Sequence, residues 1–486
     1  MIGENAKASY GDESPIAAFA TTPANSALTL IRCSGKGAIE IVASVFTPDK
    51  IKDAPGNTVV HGWIVDKEKR EKSKENREES KEQGLDNKID EVLISVFRAP
   101  KSYTGEDSMD ICCHGGLSAG RAVMAVLKSA GFRSALAGEF TFRAFVNGKL
   151  DLTRSESVME LVSAKTDASR HKAVMRLSGS LEKEINEIKK TLVEILAGAE
   201  IYLDYSEDEI SADSDEAEGR LPNQDTALLV LSRLKKLALS WQIERIYQEG
   251  VTVVIAGRPN AGKSSLFNAL LKEDRSIVTE VPGTTRDWIS ALVSVEGIPV
   301  RLIDTAGLRD TSDSVEKIGV DRSRKLLDSA ELVLYLIDGA QGLTDEDSEF
   351  IGKFENCLSV WNKADIAIAP SSQKFVSVSA KTGEGLSQLY VAIGSAIQKQ
   401  SSLSAAFQDA ATQEPLAAVG TERQKKLIDA ACNAMEEALM LAEKEEPLDL
   451  IAPLLREAVN SLGEITGEVS TADILEEMFS KFCVGK

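Results

Sequence analysis

The chain has no long apolar run. Its longest hydrophobic stretches, such as "VTVVIAG" and "ELVLYLIDG", fall far short of the roughly 20 residues a helix needs to cross a bilayer. A helical membrane span is therefore not expected. The first residues, "MIGENAKASYGDES", lack the basic start and apolar stretch of a signal peptide, so a cytoplasmic location is the expectation. Cysteine is scarce, with six in 486 residues. No two stand in C-x-x-C spacing, which argues against a zinc site, and cytoplasmic thiols stay reduced. Cys112 and Cys113 are adjacent in a strand-like run, so their side chains point to opposite faces. Net positive charge is also missing: the formal net charge is −20. That excludes a general electrostatic affinity for nucleic acid and leaves room only for a local basic patch or a basic partner.

What is present is the profile of a soluble globular protein, 43% hydrophobic and 27% charged. The length implies two to four domains, by order-of-magnitude domain size. Residues 1–150 alternate short strand-like runs ("SALTLIRCSG", "TVVHGWIV", "DEVLISVFRAP", "SMDICCHGG") with turns, interrupted by a charged excursion from Asp66 to Lys88. Residues 151–250 read as helices. "TRSE" at 153–156 fits a capping box. Leu181, Ile185, Ile188, Leu192, Ile195, Ala199 and Leu203 recur at steps of three and four, one face of a long amphipathic helix. Asp204 to Glu218 holds acids and no bases and reads as an exposed connection, and a second helix is expected from Thr226 to Gln248. Residues 251–400 alternate apolar strands with helices, which predicts βα units and a mostly parallel sheet. Residues 401–486 return to helices, opened by "TERQ" at 421–424. The fold class is therefore multidomain α/β and all-α, with a nucleotide domain inserted between two halves of one helical domain.

The segment "VTVVIAGRPNAGKSSLFNALL" contains a complete P-loop, Gly257 to Ser264, between a strand pattern and a helix pattern. Its glycines let backbone N–H groups turn toward phosphate oxygens. Asn260, Ala261, Gly262, Lys263, Ser264 and Ser265 are the expected phosphate contacts, with Lys263 on the β and γ phosphates and Ser264 on Mg²⁺. "TEVPGTTRD" then offers Thr279, Glu280, Val281, Pro282, Gly283, Thr284 and Thr285, of which Thr285 is the expected second Mg²⁺ ligand. "RLIDTAG" supplies Asp304, Thr305, Ala306 and Gly307, the aspartate for the metal's water shell and Gly307 for the γ-phosphate. "WNKAD" supplies the base selector: Asp365 accepts from the ring N–H and the amino group of guanine, with Asn362, Lys363 and Ala364 bracing the ring. Adenine would leave that carboxylate unpaired, at a cost of about 1–3 kcal/mol or more. "SAK" presents Ser379 and Ala380 for the guanine carbonyl. These motifs in this order imply GTP/GDP binding.

Hydrolysis is arranged less usually. Ras-like GTPases place a water-orienting Gln after D-x-x-G, and Leu308 stands there instead. Glu316, in "LRDTSDSVEKIG", is the nearby polar group that can act; the competing reading is a surface acid on a helix. No arginine finger is assignable. Asn260 inside the P-loop can instead hold a monovalent cation beside the phosphates, stabilising the same developing charge.

A P-loop with Asn260, Leu308 after D-T-A-G, and flanking helices resembles the MnmE (TrmE) family of tRNA-modification GTPases. "PKSYTGED" (100–107), "CHGG" (113–116), "GEFTFRAFVNGKLDLT" (138–153) and the terminal "CVGK" look like landmarks of the same family, so the resemblance runs nearly end to end. It implies an N-terminal folate-binding domain that also forms a homodimer, a helical domain and an inserted G domain. It implies GTP hydrolysis that drives addition of a carboxymethylaminomethyl or aminomethyl group to C5 of the wobble uridine of certain tRNAs. The one-carbon unit would come from a tetrahydrofolate derivative (5-formyl- or methylene-tetrahydrofolate). The implied partner is an FAD-dependent MnmG (GidA)-type protein in a heterotetramer or larger complex, which would provide most contacts to the tRNA. Glu316 falls where the family has its hydrolytic glutamate. Asn260 matches a K⁺-binding asparagine, and Thr279, Val281 and Thr284 lie in the segment with the remaining K⁺ ligands. Arg32, Asp110 and Lys149 match folate-binding positions, although Asp110 stands where a longer Glu is usual, and Lys486 joins them at the terminus.

The tail "CVGK" by itself resembles a prenylation box, but Lys486 is not a usual last residue for one. The resemblance makes Cys483 a candidate group near the transferred carbon; the competing role is packing of a small residue. A reactive thiolate there would need a lowered pKa, to which Lys481 and Lys486 can contribute. The other readings of the whole chain are an Era- or EngA-like ribosome-assembly GTPase and a GTP-switched scaffold without modification chemistry.

Two outcomes follow for GTP turnover. Glu316→Ala should lower the hydrolysis rate by about 100-fold, the scale of a lost general acid–base group, with GDP affinity retained; turnover at the parent rate would refute the assignment. Turnover should also be faster in K⁺ than in Na⁺, and equal rates in the two salts would contradict a cation at Asn260.

Overall fold

The structure, a computed structural model, describes residues 10, 12–66, 87–204, 221, 223–272, 289–305, 326–370, 374–399 and 417–485. The chain divides into two compact units. One comprises Met1–Met159 with Leu462–Lys486, the other Glu160–Ser461.

The first unit is built on a seven-stranded sheet. Its strands are β1 (Ile16–Phe19), β2 (Leu28–Ser34), β3 (Phe46–Thr47), β4 (Thr58–Val65), β5 (Lys88–Phe97), β6 (Ser108–His114) and β7 (Arg133–Ser134), in the order β3-β4-β5-β6-β2-β1-β7. All four strand-like runs of the sequence lie in it. Helices α1 (Ala38–Ser44) and α2 (Leu117–Ala130) cover one face. Ile31, Cys33, Ile94, Met109, Ile111 and Cys113 point into that core with Ile39, Val42, Val123 and Leu127. Period-two alternation sends their neighbours, Arg32, Asp110 and Cys112 among them, to the opposite face. The two adjacent cysteines separate as expected, Cys113 buried and Cys112 only partly so.

Helix α3 (Glu139–Val146) and the chain's last helix also belong to this unit. Phe479 is fully buried among Tyr10, Phe142, Phe145 and Phe482, with its ring 5.4 Å from that of Phe142 in an edge-to-face arrangement. Residues from both ends of the chain thus share one aromatic cluster.

The second unit combines helices with a six-stranded sheet. Helix α4 (Leu152–Ser163) leads into it. The capping expectation needs correction there: Asp151, not Thr153, caps the helix, its Oδ1 accepting from Arg154 N at 2.7 Å and from the Thr153 hydroxyl at 3.0 Å. An aspartate two residues earlier competes successfully for the free amides. Helices α5 (Asp167–Leu177), α6 (Ser180–Asp204) and α7 (Gln224–Glu249) follow. The apolar face read on α6 is buried from Leu181 to Ala199, but Leu203 is exposed. The Asp204–Glu218 run and the Asp66–Lys88 run fall almost wholly outside the described residues.

Strands β8 (Val251–Gly257), β9 (Ile289–Val295), β10 (Ile298–Asp304), β11 (Leu332–Asp338), β12 (Cys357–Asn362) and β13 (Val376–Ser377) form the order β13-β12-β11-β8-β10-β9. All neighbours run parallel except β9 with β10. Parallel strands covered on both faces read as continuous apolar runs, and β11, "LVLYLID", is buried throughout. Helices α8 (Lys263–Lys272), α9 (Asp345–Lys353) and α10 (Leu386–Lys399) accompany the sheet. Ile246, from the last turn of α7, is buried in the same core as Val253, Leu334 and Ile393. Only Gly250, with φ 84°, separates α7 from β8.

Beyond the sheet, α11 (Glu422–Glu443) packs along α7. Thr421 caps it by accepting from Gln424 N, but Gln424 Oε1 accepts from Gly420 N instead of completing the box. Gln248 donates to Gly420 O at 2.8 Å and Val419 N to Ser240 Oγ at 3.0 Å. Helix α12 (Leu448–Thr466) and α13 (Ala472–Ser480) complete the chain.

A buried ion cluster fixes α5 to α7. Arg176 reaches Glu160 and Glu244, both at 2.6 Å, and Lys172 reaches Glu244 at 2.7 Å. Burial works against the Arg176 charge, and the two carboxylates more than offset it, raising its pKa further. Removing one member strands buried charge. Arg176→Met should therefore destabilise the protein by about 3–5 kcal/mol, read as a lowered denaturation midpoint; a parent-like midpoint would show that the cluster is dispensable.

Candidate functional site

Two sites take shape, one in each unit. In the second unit β8 pairs with β10 on one side and β11 on the other, so the sheet order reverses direction there. Such a switch point opens a crevice beyond the carboxyl ends of the strands. The P-loop leaves β8 at that point and runs straight into α8.

The loop's geometry explains its residues. Gly262 has φ 95°, and a Cβ there would lie 2.3 Å from Asn362 Nδ2. Asn260 has φ 63°, exposing its side chain. Lys263 Nζ donates to the carbonyls of Gly257 and Arg258, both at 2.9 Å, folding back over the loop. Ser264 Oγ donates to Asp304 Oδ2 at 2.7 Å, with Asp304 buried. A hydroxyl and a carboxylate held together are hard oxygen donors of the kind Mg²⁺ takes alongside substrate phosphates. Thr305 Oγ1 donates to Ile255 O and ties the same strand end to β8.

The base-binding side is built around a buried amide. Asn362 is buried, and its amide serves the protein: Nδ2 donates to Ala261 O at 2.7 Å, and Oδ1 accepts from Ala380 N at 3.1 Å. It is a strut between the P-loop and the Ser379–Ala380 turn. Burial forces this, because a buried amide must find partners. Lys363 adopts φ 65°, a conformation non-glycine residues seldom hold, and its ammonium pairs with buried Asp338 at 2.7 Å. That turn leaves Asp365 exposed, available to accept from a base. Thr279 to Thr285, Ala306, Gly307, Leu308 and Glu316 lie outside the described residues.

Arg258 was not singled out by sequence. Its guanidinium donates to Asp347 Oδ1 at 2.9 Å, Gln341 Oε1 at 3.2 Å and Gly342 O at 3.1 Å. Asp347 is fully buried and also accepts from Tyr335 OH and from Thr344 N and Oγ1, completing the capping box of α9. Burial alone would raise its pKa, but the donors from Thr344, Tyr335 and Arg258 outweigh it and hold it below the ordinary carboxylate value. The only sequence signal was Thr344 three residues before Asp347.

In the first unit, Arg32 and Asp110 are direct cross-strand partners on β2 and β6. Their side chains form a forked pair, Nε to Oδ1 at 2.9 Å and Nη2 to Oδ2 at 3.2 Å. The guanidinium also lies 5.8 Å from the Tyr103 ring centroid. Burial opposes the Arg32 charge, but Asp110 more than compensates, raising its pKa. Lys149 Nζ donates to Pro100 O at 3.0 Å and its stem lines Gly105, so it belongs to the same "PKSYTGED" loop as Tyr103. Asp110 keeps oxygen lone pairs beyond the two that Arg32 engages, so it can still accept from N–H groups of a ligand.

The C-terminal tail lies in this unit too. Val484 bridges Ala137, and Gly138 N donates to Cys483 O at 3.4 Å. Gly485, φ 97°, passes so close to β1 that a Cβ would lie 2.3 Å from Phe19 O. Cys483 is exposed. Lys481 pairs with Glu477 at 2.9 Å, and Lys486 lies outside the described residues. The turn that receives the tail is held by buried Glu139, which accepts from Leu136 N, Arg133 and Arg143. Arg143 continues to Glu106 at 3.1 Å, and Glu106 accepts from Ser34 Oγ at 2.9 Å. The sequence marked this segment only as a resemblance.

The profile described as the MnmE helical domain matches residues 152–483, and that described as the GTP-binding protein TrmE N-terminus matches residues 15–149. The "tRNA modification GTPase MnmE" of Treponema denticola is 42% identical, covering 99% of both chains. That of Carboxydothermus hydrogenoformans is 39% identical, covering 98% of this chain and all of the other. Among solved structures, the G domain of the T. maritima FeoB iron transporter is 30% identical over 30% of this chain and 99% of its own, with a TM-score of 0.24.

Asp347→Ala leaves the Arg258 guanidinium without its carboxylate and should weaken GDP binding, a loss of about 1–3 kcal/mol, read as a faster release of fluorescent GDP. Because its pKa is lowered on folding, the carboxylate contributes stability fully above the ordinary carboxylate range. That contribution disappears as pH falls through the depressed folded value. The variant should therefore lose part of the parent's dependence on acidic pH, and identical acid-unfolding profiles would overturn the assignment.

Proposed function

The chain belongs to the MnmE family and is a GTPase acting in tRNA modification, and from that premise we propose what it adds and how its parts share the work. The product is a carboxymethylaminomethyl or aminomethyl group at C5 of the wobble uridine of certain tRNAs, made in the cytoplasm. The observation that carries this reading is the return of the Cys483 tail to the unit that holds the Arg32–Asp110 pair. An exposed thiol in the same unit as this forked Arg–Asp pair is out of place in a simple GTP switch and fits one-carbon chemistry.

In this reading residues 1–150 bind a tetrahydrofolate derivative, which supplies the one-carbon unit when bound. Arg32 orients Asp110, Asp110 accepts from the pterin N–H groups, and Lys149 and Lys486 offer positive charge to the folate's carboxylates. Residues 151–250 and 401–486 form the helical domain around a G domain at 251–400. There Lys263 and the P-loop amides hold the phosphates, and Asp365 selects guanine. Ser264 and Thr285 would hold Mg²⁺, and Asp304 its water shell. Asn260, Thr279, Val281 and Thr284 would hold K⁺, whose charge would offset the negative charge that develops. Glu316 orients the water in place of the absent Gln.

Leu28, Val59 and Leu93 are exposed on the sheet face opposite α1 and α2, which supports a homodimer through the N-terminal domain. A net charge of −20 supports an FAD-dependent MnmG-type partner that provides most contacts to tRNA. Among the described residues no helix is long and apolar enough to cross a membrane.

Nucleoside mass spectrometry of tRNA from a deletion strain carrying each variant tests the reading. Cys483→Ser should hydrolyse GTP like the parent but leave the wobble uridine unmodified. Gly485→Ala, which displaces the tail by collision with Phe19 O, should do the same. Normal modification by Cys483→Ser would make the thiol structural.

A further inference from the structure

Strands β9 and β10 form a tight hairpin. Val295 pairs with Ile298, leaving Glu296 and Gly297 as a two-residue turn with φ 51° and 83°. Positive φ at both positions matches the twist of the strands, so the hairpin is one stiff piece. At its far end β10 delivers Asp304 to Ser264, and β9 follows in sequence the segment that carries Thr285. Seven residues of strand put the turn about 23 Å from that end.

The turn is seated. Thr166 Oγ1 donates to Gly297 O at 2.7 Å while also accepting from Ser169 N as the cap of α5. A Cβ on Gly297 would lie 2.8 Å from Ala168 Cβ, so only glycine sits this close. The Glu296 carboxylate lies against Gly394 of α10, where any side chain would collide with it. Ser169 Oγ donates to Tyr247 O at the end of α7, and Lys165 Nζ donates to Glu249 O at 2.9 Å. The Lys172 ammonium stands 4.8 Å from the Tyr247 ring centroid. The seat is therefore rigid, because α5 is already locked to α7 through Arg176. It is not entirely favourable: burial and then the like charge of Arg301 on β10 lower the Lys165 pKa. Gly250 thus joins the sheet to these helices covalently, and this turn adds a non-covalent bearing.

We infer that the seating of the Glu296–Gly297 turn on the first turn of α5 is the contact through which a shift of the hairpin at the phosphate site reaches the helices, making Thr166 and Gly297 positioning residues for tRNA modification. A lever needs a fixed end, a stiff arm and a second bearing; Gly250, the hairpin and the α5 seat supply them. The inference rests on the modification activity proposed above.

The test uses the full chain with three readouts: GTP turnover, the wobble-uridine profile of tRNA in a complemented deletion strain, and the thermal midpoint. Gly297→Ala pushes the turn off Ala168, and Ala168→Gly on top of it restores the space. Gly297→Ala should keep GTP turnover within about twofold of the parent while modification falls at least about tenfold, the range of ordinary coupling between sites. The double variant removes the collision and leaves only the strain of alanine at φ 83°, so it should recover part of the modification. Thr166→Val and Thr166→Ser give the same contrast without touching the turn, the serine behaving like the parent. Unchanged modification, loss of turnover and modification together, or failure of both Ala168→Gly and Thr166→Ser to preserve modification would each overturn the inference. If the parent gene itself fails to restore the modified uridine, the proposed function falls instead, and the two failures are told apart.

Discussion

The packing of helix α7 on helix α11 is the constraint on which the remaining structure depends. Val419, Gly420 and the first turn of α11 are tied to Ser240 and Gln248 by hydrogen bonds, across more than the whole length of the six-stranded sheet's segment. The stretches of chain on either side of segment 251–399 are therefore held together at one place. Its first strand starts one residue after α7, and Ile246 of that helix is already part of its core. Closing so long a loop costs entropy that grows only slowly with length, so a single well-packed helix pair suffices to hold both ends.

Each unit then places its chemistry by the same device, a strand end beside a buried polar support. In the sheet of parallel strands, the P-loop, Asp304, Asp338 and Asn362 all stand at carboxyl ends, where strand packing stops and backbone groups become available. Asn362, Asp347 and Arg258 tie the loops of this site to one another. In the first unit Glu139, Arg143 and Glu106 play the corresponding part for the tail and for β2. Buried polar groups of this kind are demanding, because each requires its partners in place, and that demand makes the loops stiff.

Much of the fold was legible because period and run length report burial directly. The alternating runs "SALTLIRCSG" and "SMDICCHGG" became β2 and β6, and the apolar run "ELVLYLIDG" became a buried central strand. The spacing from Leu181 to Ala199 became the inner face of α6. Leu203 departed from that face near the helix end, where neighbouring helices no longer cover it. The capping signals were legible in kind but not in place: Asp151 displaced Thr153, since the strongest local acceptor wins the free amides. Arg258 was invisible, because its meaning lies in Asp347, far along the chain.

By itself the sequence pointed to GTP chemistry, since the motifs at Gly257 to Ser264, Asp304 and Asp365 are written in local backbone shape and side-chain type. It also determined which residues to examine in the first unit, through Arg32, Asp110, Lys149 and Cys483. Tertiary structure alone decided that Arg32 and Asp110 are cross-strand partners, because register is a property of two strands and not of either one. It alone decided that Asn362 faces the P-loop, that Gly297 rests on Thr166, and that Gly485 lies against Phe19. Those are contacts between distant segments, fixed by how the sheets and helices pack and not by any local preference of the chain.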